Sequence, residues 1–493
     1  MIAAFCVAAL LPDAAPAQTP SPGQAPRRKA IVYRSYGSPD VLRLEEIEKP
    51  VPDDNQVLVR VRAVSLNPLD WHYMRGTPYF ARAEMGLRNP KVTRLGVDFA
   101  GTVESVGRSV TRFKPGDDVF GGRTGALAEY VTVREDRAIA LKPANVTFEQ
   151  AAAVPIAAIT ALQGLRDKGN LQPGQKVLIN GASGGVGTFA VQIAKSFGAD
   201  VTGVCSTRNV EMVRSIGADR VIDYTREDFT QGEQRYDLIL DNVGNRSLRE
   251  TLRALNPRGK YVMVGGPTGR WIAPMPRAFR ALVLSRFVTQ DMSMMLAELN
   301  QNDLNVLRDL MQAGKVKPVV DRRYRLSDVS EALRYLEQGH ARGKVVVTLE
   351  PGSDATPVRA SLPANPESAA GSDLVVLALV ALAVLLPIVA ALALNRRFQR
   401  RNRGKRPYRW GYYVAIQSFI AGLGLAALVE PGAGVVIVCG VVYAVLAWFF
   451  ALRHHWAWIA LTILSLNPVA WIINFIYLRK RWAEDSPAAT PTL

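Results

Sequence analysis

The segment Lys176-Val-Leu-Ile-Asn180, Gly181-Ala-Ser-Gly-Gly-Val-Gly187, Thr188 onward constrains this chain more than any other. An apolar strand runs into a glycine-rich turn and leaves it as an amphipathic helix. Glycines in such a turn permit positive φ and let the backbone come close to a bound group. The helix start then offers unpaired N–H groups and the positive end of its dipole to an anion. A glycine-rich string alone is a weak sign; its place between strand and helix is what marks a pyrophosphate cradle. Gly181, Ser183, Gly184, Gly185, Val186 and Gly187 are therefore expected to bind a dinucleotide.

Strand-like and helix-like pieces go on alternating after the turn: DVTGVCST, RNVEMVRSIG, RVIDY, DLILDNVG, SLRETLRAL and KYVMVGG. Such alternation builds a doubly wound α/β parallel sheet with helices on both faces, here over residues 151–300. Residues 29–150 read differently. QVLVRVRAVSLNP, GVDFAGTVESVG, DDVFGG and LAEYVTVRED, bounded by Gly, Pro and Asp, predict an all-β module with loops between the strands, 67–79 among them. One helix is expected across FEQAAAVPIAAITALQGL at the junction. Two more follow at 304–313 and 327–338, and KVVVTLE ends the pattern as a strand.

The identity of the dinucleotide turns on the strand after the glycine turn. A site for NAD needs an acid at that strand's end to hold the ribose hydroxyls. This chain reads Val204-Cys-Ser-Thr-Arg-Asn209, without one. Ser206 can donate to a 2′-phosphate and Arg208 can pair with it through its planar fork, which favours NADP(H). The other reading makes Arg208 a solvated residue at a helix start and leaves the site indifferent.

Several short motifs then resemble the medium-chain dehydrogenase/reductase superfamily over residues 29–350. They are Ser65-Leu-Asn-Pro-Leu-Asp70, Gly96-Val-Asp-Phe-Ala-Gly101, Phe113-Lys-Pro-Gly-Asp-Asp-Val-Phe120, Ala153-Val-Pro-Ile-Ala-Ala-Ile-Thr-Ala161, the turn 181–187 and Asp241-Asn-Val-Gly244. The resemblance implies a GroES-like β domain (29–150, completed by 301–350), a Rossmann NADP-binding domain (151–300) and an active site in the cleft between them. It also implies Thr160 near the nicotinamide, Asn242, Val243 and Gly265 along its ribose, and Tyr224 near the adenosine phosphate. Homodimers formed through the cofactor domain are common in the superfamily.

In the zinc alcohol dehydrogenases of that superfamily a Cys stands where this chain has Asn67, and a His where it has Val97. No four-cysteine lobe follows Val119-Phe-Gly-Gly here, so no metal is expected. The pattern is similar to the zinc-independent branch of quinone oxidoreductases and enoyl reductases. That implies hydride transfer from NADPH to a quinone or an α,β-unsaturated carbonyl.

Without a metal, something else must stabilise the negative charge that develops on the acceptor's oxygen. Segment 67–79 offers Asn67, His72, Tyr73 and Tyr79. Asn67 holds the former ligand position and can donate a hydrogen bond. Tyr79 lies near the place where enoyl reductases of this branch carry a Tyr acid. Asn67, Tyr79 and Tyr73 are the leading catalytic candidates; the alternative for each is a pocket-lining or surface group. The competing function is a non-catalytic NADPH-sensing module that regulates a membrane partner.

The rest of the chain is of another kind. Residues 351–373, dominated by Pro, Ser, Ala and Gly, read as a linker. Residues 374–394 are 21 positions without a charge, and 411–429, 434–452 and 456–478 are similarly apolar, with Trp and Tyr near their ends. Four transmembrane helices in a lipid bilayer are expected across 374–480, then a tail at 481–493. A net charge of +17 ordinarily raises the question of nucleic acid. Eight Lys and Arg without an acid at 395–410 account for part of it as a topology signal, and no nucleic-acid partner is expected. The positive-inside rule puts that loop in the cytoplasm and the catalytic part on the periplasmic side of a bacterial inner membrane; the need for NADPH argues for the cytoplasmic alternative. Residues 1–28 carry an apolar run and Ala15-Pro16-Ala17, read as a signal peptide with linker, against a mis-assigned start or a disordered tail.

Overall fold

A computed structural model of the chain describes residues 27–266 and 287–349, together with positions 277, 280, 281, 284 and 285. The chain divides into two compact units, Met1–Arg359 and Ala360–Leu493, and every described residue lies in the first. The leader through residue 26, the linker 351–373, the apolar stretches of 374–480 and the tail lie outside the described residues. Residues 27 and 28, expected in the leader, instead open the strand Arg27–Val32. Among the described residues no helix is long and apolar enough to cross a membrane.

The segments around the glycine turn build a six-stranded parallel sheet. Its order is Arg220–Asp223, Asp200–Cys205, Lys176–Asn180, Tyr236–Asp241, Leu255–Met263 and Asp291–Met294. Val177 and Ile179 enter one core and Leu178 the other, the period-two alternation of a strand covered on both faces. The winding direction reverses between Lys176–Asn180 and Tyr236–Asp241, which opens a crevice beyond their C-terminal ends.

A second sheet is centred on Gln56–Leu66, which pairs antiparallel with Asp98–Val106, Tyr130–Arg134 and Lys344–Thr348. Val320–Arg325 extends it beyond Lys344–Thr348, and Asp118–Gly122 and Ile139–Leu141 extend it beyond Asp98–Val106. The pairing has a consequence for the site. The end of Gln56–Leu66 and the beginnings of Asp98–Val106 and Lys344–Thr348 all fall at one end of the sheet, with Ser65 opposite both Asp98 and Val346.

Two expectations change. Residues 68–75, expected as loop, form a helix, Pro68–Arg75. It opens with Pro68, is braced by Asp70 accepting the Asn67 backbone N–H at 2.7 Å, and stops at Gly76 with φ +62. These are ordinary start and stop signals of a helix, and they outweigh the strand-and-turn pattern on either side. The single junction helix is in fact two, Phe148–Ala152 and Pro155–Gln163, because Pro155 has no N–H to continue the first and suits the opening turn of the second. Pro155–Gln163 is apolar on nearly every side and accordingly buried. Its Ala158, Ile159 and Leu162 share one core with Ala63, Ala100 and Val346 of the β module and with Val177 and Phe189 of the other. That common core fixes the two modules together.

Candidate active site

Side chains tie the strand ends together at the crevice. Asn180 Nδ2 donates to Asp241 Oδ1 at 2.8 Å and Tyr261 OH to Asp241 Oδ2 at 2.7 Å. Asp241 Oδ1 also accepts the N–H groups of Val243 (3.0 Å) and Gly244 (2.8 Å), which shapes the turn after its strand. Gly181 has φ +78, and a side chain there would meet Val243 Cγ2 at 2.8 Å. One on Gly265 would meet the Asn242 carbonyl oxygen at 2.1 Å. Gly181, Asn242, Val243 and Gly265 therefore stand together on one wall. The helix Gly185–Ser196 starts from Gly184 with no side chain capping it, so its first N–H groups are left for an anion. A Cβ on Gly187 would lie 2.1 Å from the Gly181 carbonyl oxygen, so only glycine lets the helix start this close to the turn.

Buried Asn209 links the turn to the strand end beyond it, donating through Nδ2 to Ser183 Oγ at 3.1 Å and Ser206 Oγ at 3.2 Å. Tyr224, about half exposed, joins them through its backbone N–H to the Cys205 carbonyl oxygen at 3.0 Å. Arg208 is exposed and donates to the His340 carbonyl oxygen at 3.2 Å. An acid does stand nearby: Asp223 lies opposite Cys205 on the adjoining strand. It accepts from Thr207 Oγ1 at 2.6 Å and from Thr225, bonds that hold its carboxyl below the usual carboxylate range. It braces the loop that carries Arg208. Two buried oxygens, Asn209 Oδ1 and Asn242 Oδ1, have no hydrogen-bond partner among the described residues. Buried acceptors are seldom left so, and both flank the crevice, which suits a dinucleotide that brings its own donors.

Asn67, Asp98 and Lys344 form a closed cluster where the modules meet, none of them more than 3% exposed. Lys344 Nζ donates to Asn67 Oδ1 at 2.6 Å and stands 3.5 Å from Asp98 Oδ2. Asn67 Nδ2 and Ser65 Oγ each donate to Asp98 Oδ2 at 3.0 Å, and the Ile156 backbone N–H donates to Asp98 Oδ1 at 3.0 Å. Burial pushes the Asp98 carboxyl up and the Lys344 ammonium down, and their mutual attraction opposes both. Both Asp98 oxygens face donors, so the charged form is the one its surroundings satisfy. Lys344 also touches the dinucleotide turn. Gly343 N–H bonds the Ser183 carbonyl oxygen at 2.9 Å, and a Cβ on Gly185 would lie 3.1 Å from Lys344 Cδ. Beneath the cluster Asp70 accepts from Asn67 N and from Gly96 N at 3.0 Å, and burial pushes its carboxyl up to about 6.

Asp98, Lys344 and Asn209 are not among the residues that the sequence singled out. A lone charge inside an apolar strand, as in GVDFAG and GKVVVTL, is the readable sign for the first two, since such charges are buried almost only in pairs. Of the expected residues, Thr160 donates to the Ile156 carbonyl oxygen at 2.7 Å, one turn along the helix whose Ile156 N–H meets Asp98. Tyr73 packs on the β-module core, and its burial raises the hydroxyl above its usual range. Tyr79 lies in the turn Tyr79–Ala81 with the Arg82 guanidinium 4.7 Å from its ring centroid. His72 stacks on Trp71, centroids 3.7 Å apart, with Nδ1 3.0 Å from the Thr77 carbonyl oxygen. Asn67 is the member of this segment whose side chain reaches Lys344.

Residues 53–143 match the family model described as Alcohol dehydrogenase GroES-like domain, and 216–347 the one described as Zinc-binding dehydrogenase. The 2-methylene-furan-3-one reductase of Solanum lycopersicum is 37% identical over 335 residues, which cover 65% of this chain and 78% of that protein. The chain belongs to the medium-chain dehydrogenase/reductase family. A chloroplastic NADPH-dependent alkenal/one oxidoreductase of Arabidopsis thaliana is likewise 37% identical, over 334 residues, 65% of this chain and 79% of its own. Among solved structures of the family, the quinone oxidoreductase from Coxiella burnetii superposes with TM-score 0.59 at 32% identity, covering 66% of this chain and 100% of the other. The Escherichia coli quinone oxidoreductase complexed with NADPH does so with TM-score 0.56 at 26% identity, covering 65% and 100%.

Family membership raises the question of zinc, which asks for thiolate and imidazole ligands. The corresponding positions here hold Asn67, whose oxygen already faces the Lys344 ammonium, and Val97, which is buried hydrocarbon. A cation would be repelled by the first and ignored by the second. Zinc does not fit this donor set. Among the described residues no group of three or more His, Cys, Asp or Glu is placed to hold a metal ion.

Proposed function

We propose that residues 27–349 are an NADPH-dependent, zinc-independent reductase of α,β-unsaturated carbonyls or quinones, carried on a membrane tether. The observation that carries this reading is the contact between the uncapped glycine turn and the Asn67–Lys344 corner, through Gly343 on Ser183 and Lys344 on Gly185. Bound NADPH supplies the hydride. The turn 181–187 holds its pyrophosphate, Ser206 and Arg208 its 2′-phosphate, and Tyr224 its adenosine side. Thr160, Asn242, Val243 and Gly265 line the nicotinamide end. Asn67 Nδ2 donates to the acceptor's carbonyl oxygen, where negative charge gathers; a donor of this kind contributes on the order of 10²–10³ in rate. In an enone the hydride adds at the β-carbon, the C=C pair shifts toward the oxygen, and a proton from water completes the α-carbon. The reductase and oxidoreductase names of the relatives, which concern an enone, alkenals and quinones, support this acceptor class.

The apolar stretches of 374–480 support the tether, and a bilayer would present lipid-soluble quinones to the site. The basic run at 395–410 and the leader-like start support placing the reductase outside the cytoplasm. Protease added to spheroplasts, whose outer membrane is opened and inner membrane sealed, tests that placement, and full protection of 27–349 reverses it. For the activity, deuterium from 4-deuterated NADPH should appear at the β-carbon of a reduced 2-alkenal. Tight NADPH binding without turnover on any alkenal or quinone would favour the sensing module instead.

A further inference from the structure

We propose that Lys344 and Asp98 are positioning residues that lock the Asn67 carboxamide in the one orientation that presents an N–H to an acceptor's carbonyl oxygen; this rests on the reductase reading above. A primary carboxamide has one oxygen and two N–H donors, and its two ends are nearly equal in size. Left to neutral neighbours, it can turn over. The neighbours here differ in sign. Lys344 has donors only and takes Oδ1 at 2.6 Å, while the ionised Asp98 has acceptors only and takes one N–H at 3.0 Å. A flipped amide would set NH₂ against an ammonium and C=O against a carboxylate, in a site shielded from water where both contacts are costly. The locked orientation leaves one N–H of Nδ2 for a ligand. The ammonium on Oδ1 also draws electron density from the amide, which strengthens that remaining donor.

The placement of the two charges argues for this role over a purely structural one. A buried ion pair seldom stabilises a fold more than apolar residues of the same volume, because both charges lose their water. The Lys344 stem lies against Gly185, at the positive end of the helix Gly185–Ser196, which is an unfavourable place for a cation. Asp98 offsets that cost and is itself held by Ser65 Oγ and the Ile156 N–H, so the carboxylate cannot swing away. Three distant segments, brought to one end of the sheet by antiparallel pairing, thus converge on a single amide.

A double-variant kinetic cycle on the full chain, at saturating NADPH with 2-hexenal or benzoquinone, tests the proposal. Asn67→Ala should lower kcat about 100-fold and Lys344→Met about 10- to 100-fold, both with acceptor KM within about threefold. The double variant should fall no more than about threefold below Asn67→Ala alone, because Lys344 acts through a group that is already gone. Losses that multiply in the double variant would overturn the proposal, since Lys344 would then act on the dinucleotide or the fold by itself. If Lys344→Met does not fold, Asp98→Asn takes its place in the cycle; failure of both to fold would make the pair a folding element and likewise overturn it. A wild-type chain with no turnover on any acceptor would sink the reductase reading, and the proposal with it. Turnover with a multiplicative cycle sinks the proposal alone.

Discussion

The dinucleotide turn and the Asn67 corner touch one another, yet they are built on opposite plans. The turn is made of backbone: it offers the uncapped N–H groups at the start of the helix Gly185–Ser196, and its demands are on space and φ. The corner is made of side chains from positions 65, 67, 98 and 344, which meet only because the strands that carry them run antiparallel. A backbone site tolerates little added volume, while a side-chain site tolerates little change in chemistry. Substitutions should therefore separate the two cleanly.

The largest effect should come from the turn. Gly187→Ala puts a methyl about 2 Å from a carbonyl that cannot move without unmaking the turn. NADPH affinity, read by fluorescence titration, should fall by more than about 100-fold; normal binding would break the backbone half of the comparison. Asn67→Ala should do the reverse, with kcat down about 100-fold and NADPH affinity within about threefold. A variant that lost affinity and kept kcat would move Asn67 into the cofactor site.

Asp70, beneath the corner, offers a test through pH. Its carboxyl is raised to about 6 by burial, so folding binds its proton more tightly than the unfolded chain does. Its ionisation therefore costs stability. The cost is absent below the ordinary carboxylate range, grows as pH rises toward about 6 and is complete above it. A rise of this size corresponds to about 3 kcal/mol. Asp70→Asn removes the titration, so between about pH 4 and pH 7 its urea-unfolding free energy should gain on the wild type by about that amount. A difference that stays constant with pH would show that Asp70 does not titrate in this range.

Arg208→Ala should weaken NADPH binding by about 10- to 30-fold and leave NADH unchanged, because a charge-assisted bond to the 2′-phosphate from an exposed side chain contributes on the order of 1.5–2 kcal/mol. Equal loss for both cofactors would mean that Arg208 only braces His340. The smallest change is expected at Tyr73, which packs on the β-module core. Tyr73→Phe should alter kcat by less than about threefold, and a larger loss would reopen the search for a tyrosine acid.

The same contrast explains what could be read from the sequence. The glycine turn, the alternating strands and helices, and Ser206 and Arg208 are local features, and local features are written in consecutive residues. The helix Pro68–Arg75 is equally legible in consecutive residues, since Pro68, Asp70 and Gly76 are its own start and stop signals. The partners of Asn67 were not readable in this way. Asp98 and Lys344 show in the sequence only as single charges in apolar strands, and which charge meets which depends on sheet register and the return of the chain to the first module. Asn209 is hidden differently, since its position after Arg208 says nothing of the bond to Ser183.

The central claim, metal-free reduction by NADPH at the Asn67 corner, meets its most direct test in steady-state NADPH oxidation by the full chain after exhaustive chelation, with 2-hexenal and benzoquinone as acceptors. Turnover on at least one of them is expected, unchanged by chelation and about 100-fold lower in Asn67→Ala. Turnover that disappears with the chelator, or that Asn67→Ala leaves intact, would contradict it.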